Sequence, residues 1–399
     1  MKESASAAVL NSTDTQLRPI FIMPLKNPVN NEIIAVSKAN CVGCYNRSTD
    51  VFLQFKSDVT LQEDDFVVDI VTSPNNKFLG VLLSASKKII ICELPNLKHM
   101  ETLILPRSAS KIRFDMSSTR LLVADKTGDV LIFDILKEDK GTKILGHLSL
   151  LLNILQTNDG KFIITSDRDE KIRVSCYPNA YNIQTFCLGH KEFVMHIELL
   201  PDLPEYLTSA SGDGLVKVWN YTNGKLHYTI DTYTDVKNNN DLKQNFCKIM
   251  NEEGIEINSL PIVNFAITKL SDSFSLIAVT VHSYMKILIY SLKYDNKQFS
   301  HSLVLELPFE NYPISIKFHN LSLFVYDILY SKISEYQVSI DSDSIVVNLH
   351  RRLHVFENQK IEISNTLDHN SIKLLFKRKF DNVQEYQERK KMRLEKPTN

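Results

Sequence analysis

Gly189-His190, followed by Ser209-Ala210-Ser211-Gly212-Asp213-Gly214-Leu215-Val216-Lys217-Val218-Trp219-Asn220, sets the frame for reading the whole 399-residue chain. A Gly-His opens the stretch, an Asp sits in a glycine-flanked turn, and a Trp closes the run after the turn. Forty-three positions earlier stands another Gly-His, Gly146-His147, again followed about twenty residues later by an Asp-bearing turn. Recurrence at about 40–45 residues marks a stacked structural unit, because each unit must repeat the contacts that bury its neighbour.

A Gly-His and a Trp-Asp-like pair framing such a unit is the signature of a WD-repeat propeller blade. The His in the loop entering the blade reaches the Asp in the turn between second and third strands. That Asp lies near a Ser on the second strand and the Trp on the third. For this blade the set is His190, Asp213, Ser209 or Ser211, and Trp219. A buried polar network of this kind rigidifies a fold only when every member is satisfied. The same residues could be taken for a catalytic His-Asp pair, but the repeat already accounts for them.

Aligning strand-like runs on Trp219 yields a ladder of third-strand ends: Cys44, Cys92, Phe133, Ser175, Trp219, Tyr290 and Tyr336. The intervals are 48, 41, 42, 44, 71 and 46 residues, which predicts an all-β, seven-bladed WD-repeat β-propeller over residues 18–356. Residues 1–17 are expected to be disordered. The long interval holds a polar stretch at 231–260 without strand periodicity, expected as an inserted loop. Either Arg18–Met23 or Ile345–Leu349 could lend a closing strand to the opposite terminal blade.

Residues 357–399 form a basic tail in which 373–399 carries nine Lys or Arg against four acids, on a chain of net charge −1. Asp381, with Gln384 three residues on, can cap a short helix there. Such a tail is a solvated or nuclear-import segment, or an arm contacting phosphates. The near-neutral total excludes a globally basic nucleic-acid binder. No apolar run approaches the roughly 20 residues of a membrane-spanning helix. The N-terminus lacks a basic region followed by an apolar one, so secretion is not expected. Cys41-Val42-Gly43-Cys44 has no second pair or nearby His to complete a zinc site, and the six cysteines read as reduced and packed. No metal site is expected.

A cofactor-binding turn, a phosphate-binding loop and a nucleophile elbow are all missing. Gly212 and Gly214 belong to the blade turn, and His350 and His354 do not form a zinc-binding helix motif. No catalytic residue is assigned, and a propeller enzyme is disfavoured. The densest charge lies in blade four, in Thr165-Ser166-Asp167-Arg168-Asp169-Glu170-Lys171-Ile172-Arg173-Val174-Ser175. By blade position Asp169 matches the structural Asp213, and Arg173 matches Lys217, a solvent position. Ile172 and Val174 point one way while Lys171 and Arg173 point the other. Dense mixed charge suits orientation of a charged partner.

That run, with Ile144-Leu145-Gly146-His147-Leu148-Ser149 before it and Phe186-Cys187-Leu188-Gly189-His190-Lys191-Glu192-Phe193-Val194 after it, resembles one family. It is the non-catalytic WD-repeat subunit of eukaryotic tRNA (guanine-N7) methyltransferase, with an overall size like its insect (wuho-type) members. The basic segment Glu388-Arg389-Lys390-Lys391-Met392-Arg393 is also similar. The resemblance implies a separate catalytic subunit that binds S-adenosylmethionine and methylates a guanosine in the tRNA variable loop. This chain would carry no cofactor; it would dock and stabilise that subunit and help hold tRNA, in the nucleus with the cytoplasm as second compartment. The implied partner-binding residues are Asp167, Arg168, Asp169, Glu170, Lys171 and Arg173, with Arg173 in an ion pair with the partner. Arg389, Lys390, Lys391 and Arg393 would contact tRNA phosphates without reading sequence. The alternative is a general interaction scaffold such as a ubiquitin-ligase substrate adaptor. Such adaptors often carry an Arg two residues after a blade's Trp-Asp pair, and Ile135-Leu136 and Tyr221-Thr222 lack it.

Overall fold

Short runs of β-branched and aliphatic residues, separated by turns, pair in chain order into seven four-stranded antiparallel sheets. The computed structural model describes residues 20–24, 33–38, 41–55, 65–252, 254–310, 312–327, 332–341, 344–353, 355 and 372–377. Each sheet is one blade, and the first strands of successive blades pack side by side around the centre. The ladder holds throughout. Its members fall on the third strands β3 (Cys41–Asn46), β7 (Lys88–Glu93), β11 (Asp129–Asp134), β15 (Ile172–Cys176), β19 (Leu215–Asn220), β23 (Lys286–Asp295) and β27 (Lys332–Asp341). Opposite them on the second strands stand Ala35, Leu79, Leu121, Ile163, Leu207, Ile277 and Leu323. All but Tyr336 are buried, because each blade's faces are covered by its neighbours. The expected disordered segment 1–17 lies outside the described residues.

Among the described residues, neither terminus lends a strand to the other terminal blade. β1 (Ile20–Pro24) pairs with β2 (Ile33–Lys38) in the first sheet, and β28 (Ser344–Leu353), which contains Ile345–Leu349, pairs with β27 in the last. The ring closes instead through side chains. Ile34, Val36 and Tyr45 of blade one pack with Phe324, Tyr326, Ile333 and Leu353 of blade seven. At this seam Glu335, 0% exposed, is paired with Arg47 from the first blade and with Arg351 Nε at 2.8 Å. Ser322 Oγ donates to the same carboxylate at 2.9 Å, and Arg351 also donates to the Arg47 carbonyl at 2.9 Å. Burial pushes the Glu335 carboxyl upward, but the two guanidinium groups outweigh it and hold it below the usual range.

The expected polar loop at 231–260 contains a helix, α1 (Asn239–Asn251). Asp241 in its first turn and Lys248 in its last suit the helix dipole. The stripe Leu242, Phe246, Met250 repeats every four residues, and Phe246 and Met250 are fully buried in the cluster shared by blades five and six. A helix this polar is marginal alone and is held by packing of that narrow apolar stripe. Residues 372–377 of the expected tail, the part of it that is described, reach the same cluster. Ile372 and Phe376 are buried there, with Phe376 edge-on to Phe193 at 5.0 Å and to Phe246 at 6.2 Å between ring centres.

Candidate partner-binding site on blade four

Blade five supplies the reference geometry. Trp219 Nε1 donates to Ser209 Oγ at 2.8 Å, and Ser209 Oγ lies 2.7 Å from His190 Nε2. With the indole donating into that oxygen, the serine proton points to His190 Nε2. His190 therefore carries its proton on Nδ1 and donates to Asp213 Oδ2 at 2.9 Å. Backbone N–H groups of Lys191 and Leu215 complete the carboxylate's shell. Burial alone would raise the Asp213 carboxyl, but the His190 hydrogen bond and the Lys191 and Leu215 amides keep it below its ordinary value. Ser209, not Ser211, is the network serine; Ser211 Oγ donates to the Glu192 carbonyl. Both imidazole nitrogens are engaged, so His190 has no lone pair for a substrate. Gly189 sits at φ +146°, a backbone conformation that favours glycine, with the Trp219 ring in van der Waals range of where a Cβ would stand.

Blade four builds the relay with a different aspartate. His147 Nδ1 lies 2.9 Å from Asp167 Oδ2, and Nε2 lies 2.7 Å from Thr165 Oγ1. Asp167 Oδ1 also accepts the N–H groups of Asp169 and Lys171, and the residue is 1% exposed. Asp169 thus does not take the structural role that alignment on Asp213 assigns to it. Asp167, at the end of β14 (Phe162–Asp167), does. Blade three follows the same rule: Asp125 closes β10 (Arg120–Asp125) and accepts the N–H groups of Thr127 and Asp129.

The turn between β14 and β15 therefore carries Arg168, Asp169, Glu170 and Lys171 at the surface. Glu170 has φ +60° and takes the register position that Gly214 (φ +76°) holds in blade five. A non-glycine residue held there costs about 1 kcal/mol or more, and such strain collects at recognition sites. Arg168 donates its backbone N–H to the Leu150 carbonyl, and its Nε is buried with no hydrogen-bond partner among the described residues. Lys171 is exposed.

Arg173 departs from the solvent position expected of it. It is 9% exposed, because the third strand of a blade is covered on both faces. Its Nε donates to Ser175 Oγ at 2.9 Å, and its terminal nitrogens donate to the carbonyls of Gly146 at 3.0 Å and Ala180 at 3.1 Å. Ser175 stands where blade five has Trp219, so the smaller side chain leaves the guanidinium a polar anchor. Every described acceptor is neutral, and burial pushes the Arg173 pKa down. Phe186, exposed, stands opposite Arg173 in the β15–β16 pairing, where β16 is Ile183–Cys187, and Leu148 and Leu188, each two residues from a neighbour of Arg173 (Gly146 and Phe186), also expose apolar surface. Arg173 is thus a cation compensated by dipoles, beside a charged turn, and the described residues here bring no nucleophile and base together.

Two expected contact groups stand apart. Asp167 is enclosed in the relay, while Arg389, Lys390, Lys391 and Arg393 lie outside the described residues, as does the helix expected at Asp381. Sequence reasoning missed Lys377, whose Nζ lies 2.8 Å from Glu170 Oε2 and 3.8 Å from Asp169 Oδ1. Burial lowers the Lys377 ammonium, but the Glu170 hydrogen bond and the charges of Glu170, Asp169 and Glu192 raise it further. All six cysteines are free, and burial pushes the thiols of Cys44, Cys92 and Cys187 up to about 12. No cluster of His, Cys, Asp or Glu able to hold a metal occurs among the described residues, and no described helix is long and apolar enough to cross a membrane.

The family model for the tRNA methyltransferase TRM82 WD40 domain matches residues 138–342, a span that begins just before blade four's relay. The chain belongs to this family. A mosquito (Culex quinquefasciatus) protein described as a tRNA (guanine-N(7)-)-methyltransferase non-catalytic subunit, wuho, is 33% identical over 75% of this chain and 68% of its own length. A zebrafish (Danio rerio) protein described as that non-catalytic subunit, wdr4, is 39% identical over 43% of this chain. That match spans only 41% of the zebrafish protein's length. Among solved structures, a chain in a crystal structure of the mitotic checkpoint complex superposes with a TM-score of 0.63 over 84% of this chain and 99% of its own. At 12% identity that likeness concerns the fold alone.

Proposed function

We propose that this chain is the non-catalytic, stabilising subunit of a heterodimeric tRNA methyltransferase that forms N7-methylguanosine in the tRNA variable loop. The observation that carries the reading is the family match across residues 138–342, which includes the blade-four surface. The catalytic subunit, which binds S-adenosylmethionine, docks on blade four. Arg168, Asp169, Glu170 and Lys171 meet it directly, and one of its carboxylates reaches the Arg173 guanidinium, whose described acceptors are all neutral. The charged turn fixes register, since complementary charge governs orientation more than raw affinity. Leu148, Phe186 and Leu188 contribute the apolar part of the contact.

Arg389, Lys390, Lys391 and Arg393 add salt-sensitive phosphate contacts to tRNA. Assembly in the nucleus suits the basic tail. Affinity purification of the tagged chain, followed by assay of each subunit and of the pair for S-adenosylmethionine-dependent methylation of tRNA guanosine N7, tests the reading. Activity that needs both chains supports it. Recovery of ubiquitin-ligase components in place of a methyltransferase would reject it.

A further inference from the structure

Residues 372–377 follow the last strand, β28, by about twenty residues, yet two separate contacts hold them on the opposite part of the ring. Phe376, 4% exposed, is packed between Phe193 at the entrance to blade five and Phe246 on α1. One residue on, Lys377 pairs with Glu170 at 2.8 Å and lies 3.8 Å from Asp169, on the blade-four turn. The apolar contact sets depth and the ionic one sets direction. The chain then continues with Arg378 and Lys379 and the cations further on.

We propose that α1 and the blade-four turn form a socket for the chain's own C-terminal segment, with Phe376 as plug and Lys377 as electrostatic key, and that this docking fixes where the basic arm leaves the propeller. The inference rests on the reading that the arm meets tRNA phosphates, and extends it from charge to position. It also gives α1 a purpose: the inserted helix is one wall of the socket. With the socket occupied, the arm is tethered at Lys377, 12 residues before Arg389. With the socket empty, the last described tether is Val355, buried in the seam between blades one and seven and 34 residues before Arg389. Effective concentration at a nearby site falls roughly as the −3/2 power of tether length, so release weakens the arm's contribution about fivefold.

The experiment uses the full chain co-purified with its catalytic subunit and labelled tRNA, with binding measured by anisotropy across a salt series. Truncation after Lys377 is expected to lower both affinity and the salt slope, because phosphate contacts are removed. Phe376→Ala is expected to lower affinity about fivefold with the salt slope unchanged, since the same contacts form from a looser tether. Because Phe376 is buried, a surface pair keeps the test independent of folding. Lys377→Glu should lower affinity, whereas Lys377→Arg, which keeps the ion pair with Glu170 and leaves the blade-four turn unaltered, should retain it. Wild-type affinity for Phe376→Ala and Lys377→Glu, alongside a weakened truncation, would overturn the socket while leaving the arm's role intact. Unchanged affinity in the truncation would remove both the arm's role and the inference built on it.

Discussion

Replacing Asp167 with Ala, beside Asp169→Ala, separates the two aspartates that sequence alignment confuses. Asp167 accepts three hydrogen bonds: from the His147 imidazole and from the N–H groups of Asp169 and Lys171. The His147 and Asp167 side chains are 3% and 2% exposed, so water cannot replace the imidazole bond without rearrangement. A buried donor left unmade costs about 1–3 kcal/mol, and the two turn amides, nearer solvent, add about 0.5 each. The sum is about 3 kcal/mol. Unfolding entropy of about 2.1 cal/mol/K per residue then gives a drop of about 4 °C if the ring melts as one unit. Asp169, at the surface and paired with Lys377 only at 3.8 Å, should cost less than about 0.5 kcal/mol, under 1 °C. Differential scanning calorimetry of the two variants decides the matter. A stable Asp167 variant with a destabilised Asp169 variant would refute the relay as described.

Arg173→Leu should weaken capture of the catalytic subunit by about 2–5 kcal/mol, the range for removing one member of a desolvated pair. Pull-down at graded partner concentration checks this, and undiminished capture would exclude Arg173 from the contact. Glu170→Gly should leave thermal stability equal or slightly raised, since relief of left-handed strain offsets glycine's added freedom in the unfolded chain. The same variant should bind the partner less well, and calorimetry paired with pull-down reads both effects. Glu335→Ala strands two guanidinium groups at the seam and should cost about 3–5 kcal/mol, read as faster hydrogen exchange in blades one and seven than in blades three to five. The Glu335 carboxyl is held below its ordinary 4.5, so its stabilising effect is fully present above that pH. It is lost as pH falls through the depressed folded value; seam protection, taken relative to intrinsic exchange at each pH, should be flat from pH 7 to about 5 and fall below.

Much of the fold was legible because WD-type blades repeat local chemistry. Gly189-His190, Asp213 and Trp219 identify one blade, and the third-strand ladder then extends through residues as unlike as Cys44 and Ser175, all on the strands expected. Spacing survives where motif identity has decayed, because a four-stranded blade needs a fixed length of chain. The helix α1 was present as the stripe Leu242, Phe246, Met250, but its polar surroundings hid it, since the burial that stabilises it comes from blades five and six. The candidate site was legible as a charged run and as a family likeness, less so residue by residue. β14 and β18 (Tyr206–Ser211) end at the same register position; blade four places its carboxylate there, at Asp167, where blade five has Ser211 and sets Asp213 two residues further on, and strand alignment does not record that difference.

The sequence by itself determined the number of blades, their order and the histidines that rigidify two of them, because these depend on local periodicity and short-range hydrogen bonds. Only the tertiary structure decided that Arg173 is buried against carbonyls, that blades one and seven meet through Glu335 and a hydrophobic seam, and that Lys377 returns to the blade-four turn. The last two join residues hundreds of positions apart, and the burial of Arg173 depends on how blades stack face to face. Nothing in a linear pattern records which distant surfaces a closed ring brings together.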